Sequence, residues 1–376
     1  MESIYKIQAI ERDLGFKYPR KSSVIHGLFN GLISKHHVLI LGPPGVAKSK
    51  LVGDFSKVVN GANYFSYLMT NYTTPEELFG PISFSALQND KFERITNGML
   101  PEANVAMLDE IWKANSSVLN SLLQLVNERK FKNGTQLKDV PLDILIGASN
   151  EYPEDSSLNA LFDRFLLRFW VDSSWDSNSF ATLIERVQTS KGTKQKLSRK
   201  EIIELQKAAK NIAWTKENNK MLVEIWSMLN SKQFSFSDRR WVQAIDSIKA
   251  EALLSDNKDV QPINFTILKD IMWDNHHDSK KIYGAILKIA DEIGTHINEL
   301  RTIVEELKGK ASSNKFEEMT DVTTGVKYAK EKLDALAFNN PNDARIQELQ
   351  EEIGFVQIKV RDRLNEALGL TPALGA

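Results

Sequence analysis

Gly42-Pro43-Pro44-Gly45-Val46-Ala47-Lys48-Ser49, followed by Lys50, stands directly behind the apolar run Val38-Leu39-Ile40-Leu41. A buried strand that runs into a turn of small residues and then a helix aims successive backbone N–H groups, and the positive end of the helix, at one point. That point suits the phosphates of a nucleoside triphosphate such as ATP. The Lys48 ammonium would reach the β and γ phosphates, and the Ser49 hydroxyl would ligate Mg²⁺. Glycine usually precedes the lysine in this pattern, and here Ala47 does; its Cβ is tolerated only if the position does not need a positive φ.

A second apolar run, Val105-Ala106-Met107-Leu108, ends in the adjacent carboxylates Asp109 and Glu110. If its C-terminal end lies beside the phosphate loop, Asp109 can bind Mg²⁺ through water or through Ser49, and Glu110 can polarise an attacking water. Two acids capping a strand without further role would look the same. A third run, residues 142–148, ends at Ser149 and Asn150. That puts the Asn150 amide at the edge where open α/β sheets collect ligands, where it could orient the water or contact the γ phosphate; an asparagine in an ordinary turn is the alternative.

Positioning these groups requires a parallel sheet. Strands are predicted at 38–41, 64–69, 105–108, 144–148 and 166–171, with helical stretches between several of them. The fold class is α/β, a five-stranded parallel P-loop sheet with helices on both faces, then an all-helical lid and a C-terminal helical hairpin or bundle. Helical stripes recur at Ile202-Leu205-Ala209-Ile212, Leu222-Ile225-Leu229 and Val242-Ile245-Ile248. The expected division is 1–175, 176–275 and 276–376. The run 191–200 carries five basic residues and no acid, and reads as a solvated linker or a phosphate-backbone contact.

Two insertions interrupt the α/β part. Residues 76–101 alternate through Ile82, Phe84 and Ala86, turn at 88–91 and return through Phe92 to Ile95, a small hairpin. Asn133-Gly134 marks a second hairpin. In the tail, Ile282, Ile286, Ile289, Ile293, Ile297, Leu300 and Leu307 predict one long helix. A shorter helix is expected at 325–336 between loops at 310–324 and 339–342, and a coiled-coil-like seam through Ile346, Leu349, Ile353, Val356 and Val360.

These motifs, with Ile111-Trp112-Lys113-Ala114, Ala160-Leu161-Phe162-Asp163-Arg164-Phe165 and Ser237-Asp238-Arg239-Arg240-Trp241, stand in an order that resembles MoxR-type AAA+ ATPases. The chain is most similar to the regulatory-variant, RavA-like group over roughly residues 15–275, without that group's β-rich domain. The resemblance implies an ATPase that assembles as a homo-oligomeric ring, usually a hexamer. Chaperone-like remodelling is implied too, often beside a protein with a von Willebrand factor A domain. Lys48, Ser49, Asp109 and Glu110 match its two Walker motifs and Asn150 its first sensor. Arg164 matches the arginine finger given to a neighbouring subunit, with Arg168 in reserve and an ion pair to Asp163 as the plainer role. Arg239 matches the second sensor ahead of Arg240, and adenine contacts are expected near Val24 and Ile25. The resemblance also turns both insertions toward a central channel, where Phe84, Phe92 and the 133–134 tip would grip substrate or merely pack on their own domain.

Composition sets broad limits. With 376 residues, 42% hydrophobic and 26% charged, the chain is ordinary for a globular protein of two or three domains. Zero cysteines exclude disulfides and thiol chemistry. Neither a signal peptide nor an apolar run of spanning length appears, so a cytoplasmic protein without membrane insertion is expected. A net charge of −1 provides no general pull on nucleic acid. Three functions stay open: a protein-remodelling motor, a nucleic-acid motor, and a nucleotide-switched scaffold with little hydrolysis.

Overall fold

Five apolar runs become the strands β1 (Val38–Leu41), β2 (Tyr64–Leu68), β3 (Val105–Asp109), β4 (Ile144–Ser149) and β5 (Leu167–Trp170). In the computed structural model, which describes residues 2–153, 158–172, 177–189, 192–311, 316–339 and 344–367, they form one parallel sheet in the order β2-β3-β4-β1-β5. β1 and β4 are buried along their whole length, as unbroken runs of branched apolar residues require when helices cover both faces. At the edge, β2 leaves Tyr64 and Leu68 exposed. The register pairs Leu41 with Ser149 and with Trp170, Leu108 with Gly147, and Leu68 with Asp109. All five strands therefore end at one edge, and whatever follows Leu41, Asp109 or Ser149 emerges there.

Helix Ser22–Ser34 packs on β1 and β5, and helix Lys48–Ser56 on β3 and β4. The former is so apolar (Val24, Ile25, Leu28, Phe29, Leu32 and Ile33 are all buried) that each side chain contributes about 1.5–3 kcal/mol of burial against the entropy of ordering. Helices Arg199–Asn211, Lys216–Ser231 and Asp238–Leu254 follow, each opened by a side-chain cap, Ser198, Thr215 and Ser237. The last packs on Ser22–Ser34 and Arg199–Asn211 through Trp241, Ala244, Ser247 and Ile248. The buried stripe is thus shifted from the expected one, since Val242 is exposed. In the basic run, Leu197-Ser198 pairs with Val59-Asn60 as a short parallel bridge; Lys191 lies outside the described residues, as do Trp175 and Asp176, where the first boundary was expected.

The chain divides into two compact units, Met1–Tyr283 and Gly284–Ala376. The second holds a three-helix bundle of Glu292–Lys310, Phe316–Asn339 and Ala344–Ala367 around Ile297, Leu300, Val304, Val322, Val326, Leu333, Leu349, Ile353 and Val360. The single long helix expected from Ile282 to Leu307 is instead two, Ser279–Ala290 and Glu292–Lys310. Asp291 separates them by leaving helical geometry and accepting the Gly294 amide on its side chain. Helix Phe316–Asn339 also occupies 316–324, where a loop was expected.

Both insertions are present in altered form. In the first, an antiparallel bridge joins Ile82 and Arg94, but Phe84–Leu87 is a short helix capped by Ser83 rather than a strand. In the second, Lys130–Asn133 pairs with Gln136–Asp139, so Gly134-Thr135 makes the turn and Asn133 belongs to a strand. Gly134 has φ 63°, and a Cβ there would fall 2.6 Å from the Phe92 carbonyl oxygen. The buried Asn133 amide accepts the Arg94 N–H at 2.7 Å and donates to the Arg94 carbonyl at 3.0 Å, which ties the insertions together.

Candidate functional site

The turn after β1 folds as its glycines dictate. Gly42 adopts φ 149°, and a Cβ would lie 2.1 Å from the Val171 carbonyl oxygen, so only glycine lets β1 leave the sheet beside β5. Ala47 does take the left-handed conformation, φ 63° and ψ 29°, at the N-terminus of helix Lys48–Ser56. The condition under which alanine fits freely is therefore not met, and the residue holds a strained backbone at the turn into this helix.

Lys48 is buried and folds back on the loop, its ammonium 2.6 Å from the Gly42 carbonyl and 3.2 Å from that of Pro43. Burial lowers its pKa, an effect opposed by the Glu110 and Asp109 charges. The Ser49 hydroxyl donates to Asp109 Oδ2 at 2.5 Å. The two predicted metal ligands thus come from different elements and lie within hydrogen-bonding distance of each other. Glu110 also holds a left-handed backbone, φ 51°, where β3 turns into the short helix Ile111–Lys113. Its Oε2 is enclosed and makes no hydrogen bond, with the Lys113 ammonium at 3.6 Å. Asn150 emerges next to this edge, and its Oδ1 is likewise enclosed without a hydrogen bond. Enclosed oxygens without donors are costly. A water and a triphosphate with its metal would supply the missing partners, so this donor set fits Mg²⁺-ATP.

Beside the loop, Tyr18, Pro19, Lys21, Val46, Lys50 and Asp172 help line a cavity of about 170 Å³. The Tyr18 hydroxyl lies 2.7 Å from Asp54 Oδ2 and 3.2 Å from the Lys50 carbonyl oxygen, which fixes its ring at the cavity wall. Burial, then the Asp54 bond, push the Tyr18 phenol up. Val24 and Ile25 are 3% and 0% exposed and offer no surface to a base. Their apolar helix is core, and the groups that could face a base come earlier. The visible signal was the Tyr18-Pro19 break ending helix Glu2–Lys17.

The arginines lie elsewhere. Arg164 precedes β5, at the edge where strands begin, whereas the loop follows β1; the four-residue strand between those edges spans about 13 Å. The guanidinium of Arg164 donates to Asn127 Oδ1 and to the Ala160 carbonyl at 2.9 Å. Asp163 is not its partner. Instead, Asp163 binds Arg240 Nη2 at 2.7 Å and the Ser237 hydroxyl at 2.9 Å, fastening the start of helix Asp238–Leu254 to the core. Arg240 is buried there, also 2.9 Å from Asp274, while Arg239 beside it is exposed. Desolvation, then the Arg239 charge, lower the Arg164 guanidinium, so these two arginines share one surface region. Arg168, the reserve candidate, is fully buried and donates to the carbonyls of Phe165, Phe162 and Trp273 and to Asp274. It is a structural pin, with four of its five N–H groups engaged inside the fold.

Residues 5–209 match the model described as the MoxR domain of MoxR-vWA-beta-propeller ternary systems, and residues 214–286 match an AAA lid domain. An uncharacterised protein of Methanocaldococcus jannaschii is 36% identical over 312 residues, covering 82% of this chain and 81% of its own. The chaperone MoxR1 of Mycobacterium tuberculosis is 28% identical over 196 residues, 51% of each chain. A crystal structure from Cytophaga hutchinsonii that carries an ATPase description superposes with a TM-score of 0.62 at 18% identity, covering 77% of this chain and 95% of the other.

Proposed function

Because the chain belongs to the MoxR family of AAA+ ATPases, we propose that it hydrolyses ATP in a ring, a hexamer by family analogy, and spends that energy on chaperone-like remodelling of a protein partner. The observation that supports this reading most is the opposition of the two edges. Lys48, Ser49, Asp109, Glu110 and Asn150 gather where the strands end, and Arg164 and Arg239 stand where they begin. This placement supports a role for both arginines at the triphosphate of the next subunit in a head-to-tail ring rather than at their own.

In this reading the backbone of residues 42–47 cradles the phosphates, Lys48 leaves its loop carbonyls for the β and γ phosphates, and Lys50 and Tyr18 flank the nucleoside. Ser49 and Asp109 hold Mg²⁺, which when bound neutralises charge on the phosphates. Glu110 accepts a proton from the attacking water, and Asn150 orients that water. Arg164 stabilises negative charge from the neighbour, with Arg239 as second sensor from the same surface.

Exposed Phe84 and Phe92, 73% and 55% accessible, favour a polypeptide over a nucleic-acid backbone as the gripped substrate. The matched model's description favours a von Willebrand factor A protein as partner. Nearest kinship with the RavA-like group, a cytoplasmic location and the division into core (1–175), lid (176–275) and extension (276–376) belong to the same proposal; no helix among the described residues is long and apolar enough to cross a membrane. The test is ATP turnover per subunit against protein concentration, with particle mass measured in parallel. Activity should climb as particles assemble, and a monomer with full, concentration-independent turnover would overturn the reading.

A further inference from the structure

At the edge of the sheet away from the phosphate loop lies a cavity of about 250 Å³, lined among others by Lys35, His36, Arg129, Lys210, Asp246 and Lys249. These residues come from separate elements. Lys35 and His36 follow helix Ser22–Ser34, Arg129 caps helix Ser116–Glu128, Lys210 lies on Arg199–Asn211, and Asp246 and Lys249 lie on Asp238–Leu254. Lys35 and His36 precede β1 and the phosphate loop follows it, so the cavity is separate from the nucleotide site.

Four permanent cations meet here against the single carboxylate of Asp246. Asp246 sits 3.4 Å from His36 Nε2, which makes no hydrogen bond, and the Ser34 hydroxyl on the same wall is also enclosed without one. Asp143, the acid nearby, is already engaged by Arg199 and Gln206. Arg129 uses part of its fork on the Leu142 carbonyl at 2.9 Å and on the Lys35 carbonyl, and these bonds fix its position. Lys249 donates to the Lys210 carbonyl at 3.3 Å. Desolvation, then the Arg129 and Arg199 charges, lower the Lys35 ammonium, as expected for a cation placed beside two guanidiniums. Like charges gathered around one cavity, beside an enclosed Ser34 hydroxyl and His36 Nε2 without hydrogen bonds, are relieved by a compact anion that accepts hydrogen bonds.

We propose that this cavity binds a small phosphate-class oxyanion carrying two or more negative charges. Several lysine ammoniums converging as point charges, beside one guanidinium, suit a charge-dense tetrahedral group better than a planar carboxylate. The ligand would also touch Arg129, two residues from Asn127, which holds Arg164.

The test uses the full chain carrying Lys48→Ala, which removes the loop lysine from competition. Pyrophosphate, without Mg²⁺ and at low ionic strength, should bind at one site per subunit by titration calorimetry. Lys210→Glu with Lys249→Glu should weaken binding about tenfold or more, because two attractive charges become repulsive. The charge-matched control Lys207→Glu with Lys258→Glu, both exposed outside the cavity, should leave it nearly unchanged. Citrate should bind more weakly than pyrophosphate. The proposal fails if the Lys48→Ala protein binds no pyrophosphate at millimolar concentration. It fails equally if both lysine pairs have the same effect in proteins of unchanged circular dichroism, or if citrate binds as well.

Discussion

Subunits impaired in different ways should rescue one another. Lys48→Ala disables the phosphate loop and leaves Arg164 intact; Arg164→Ala does the reverse. Arg164 is half-buried and donates to Asn127 and the Ala160 carbonyl, so its loss should lower stability by about 1–2 kcal/mol, too little to unfold the chain. Turnover should nevertheless fall by about 10³–10⁵, equivalent to about 4–7 kcal/mol of transition-state stabilisation. In the proposed ring, the two edges of the sheet would place the defects at different interfaces. When the variants are mixed in equal amounts and assemble at random, about half the loops and half the donated arginines are intact, so about a quarter of interfaces carry both. A coupled assay of phosphate release should show each variant nearly inactive and the mixture near a quarter of wild-type activity, with mixed particles verified by mass. Mixed particles no more active than the separate variants would refute donation across the interface. An Arg164→Ala protein within a few-fold of wild type would remove Arg164 from the chemistry altogether.

Three further outcomes follow from the same geometry. Glu110→Gln should keep ATP binding and particle mass while turnover drops about 10² or more, because an amide cannot take the water's proton; unchanged turnover would mark a nucleotide-switched scaffold. Ala47→Gly should raise stability by about 0.5–1 kcal/mol, since a left-handed alanine costs about 1–2 kcal/mol and glycine's extra unfolded freedom returns only part of that; an unchanged or lower urea midpoint would contradict the strain. Burial alone would lower the His26 imidazolium, but its bonds to Glu11 at 2.9 Å and Glu251 at 2.8 Å push it up to about 10. A raised folded pKa gives stability that is complete below about 6.5, the unfolded value, and is lost as pH climbs toward 10, so urea midpoints should fall across that window and His26→Gln should flatten the fall.

The sheet was legible because its strands are unbroken apolar runs that end in chemistry-bearing residues: Leu41 before Gly42, Leu108 before Asp109, Ala148 and Ser149 before Asn150. Local pattern served less well where tertiary contacts decide the outcome. Val24 and Ile25 form part of an apolar helix whose burial depends on β1 and β5, which no local window reveals. Arg168 follows Arg164 by four residues and has the same side chain, yet carbonyls from Phe162, Phe165 and Trp273 enclose it. Asp291 split a regular isoleucine stripe because one capping bond competed with helix continuation. In the second insertion, Asn133 looked like a turn residue but was needed to pair with Arg94, so the turn moved on by one position.

One consequence of the arginine cluster reaches beyond the separate roles of its members. Asp163 fastens the lid through Ser237 and Arg240, and the next residue in the chain is Arg164, with Arg239 between the two lid anchors. A change in lid position would therefore act first on Asp163, and through one peptide bond on Arg164, whose guanidinium faces the neighbour in the proposed ring. Arg168 opposes free movement from the other side, since its link to Asp274, which Arg240 shares, fixes the base of β5. Lid position in one subunit and the catalytic competence of the adjoining site would then be coupled without a relay across the sheet. Asp163→Asn, which keeps the shape but weakens the charged bond to Arg240, should lower turnover with little change in ATP affinity. Loss of affinity with unchanged turnover at saturation would place Asp163 in nucleotide binding and break the proposed link.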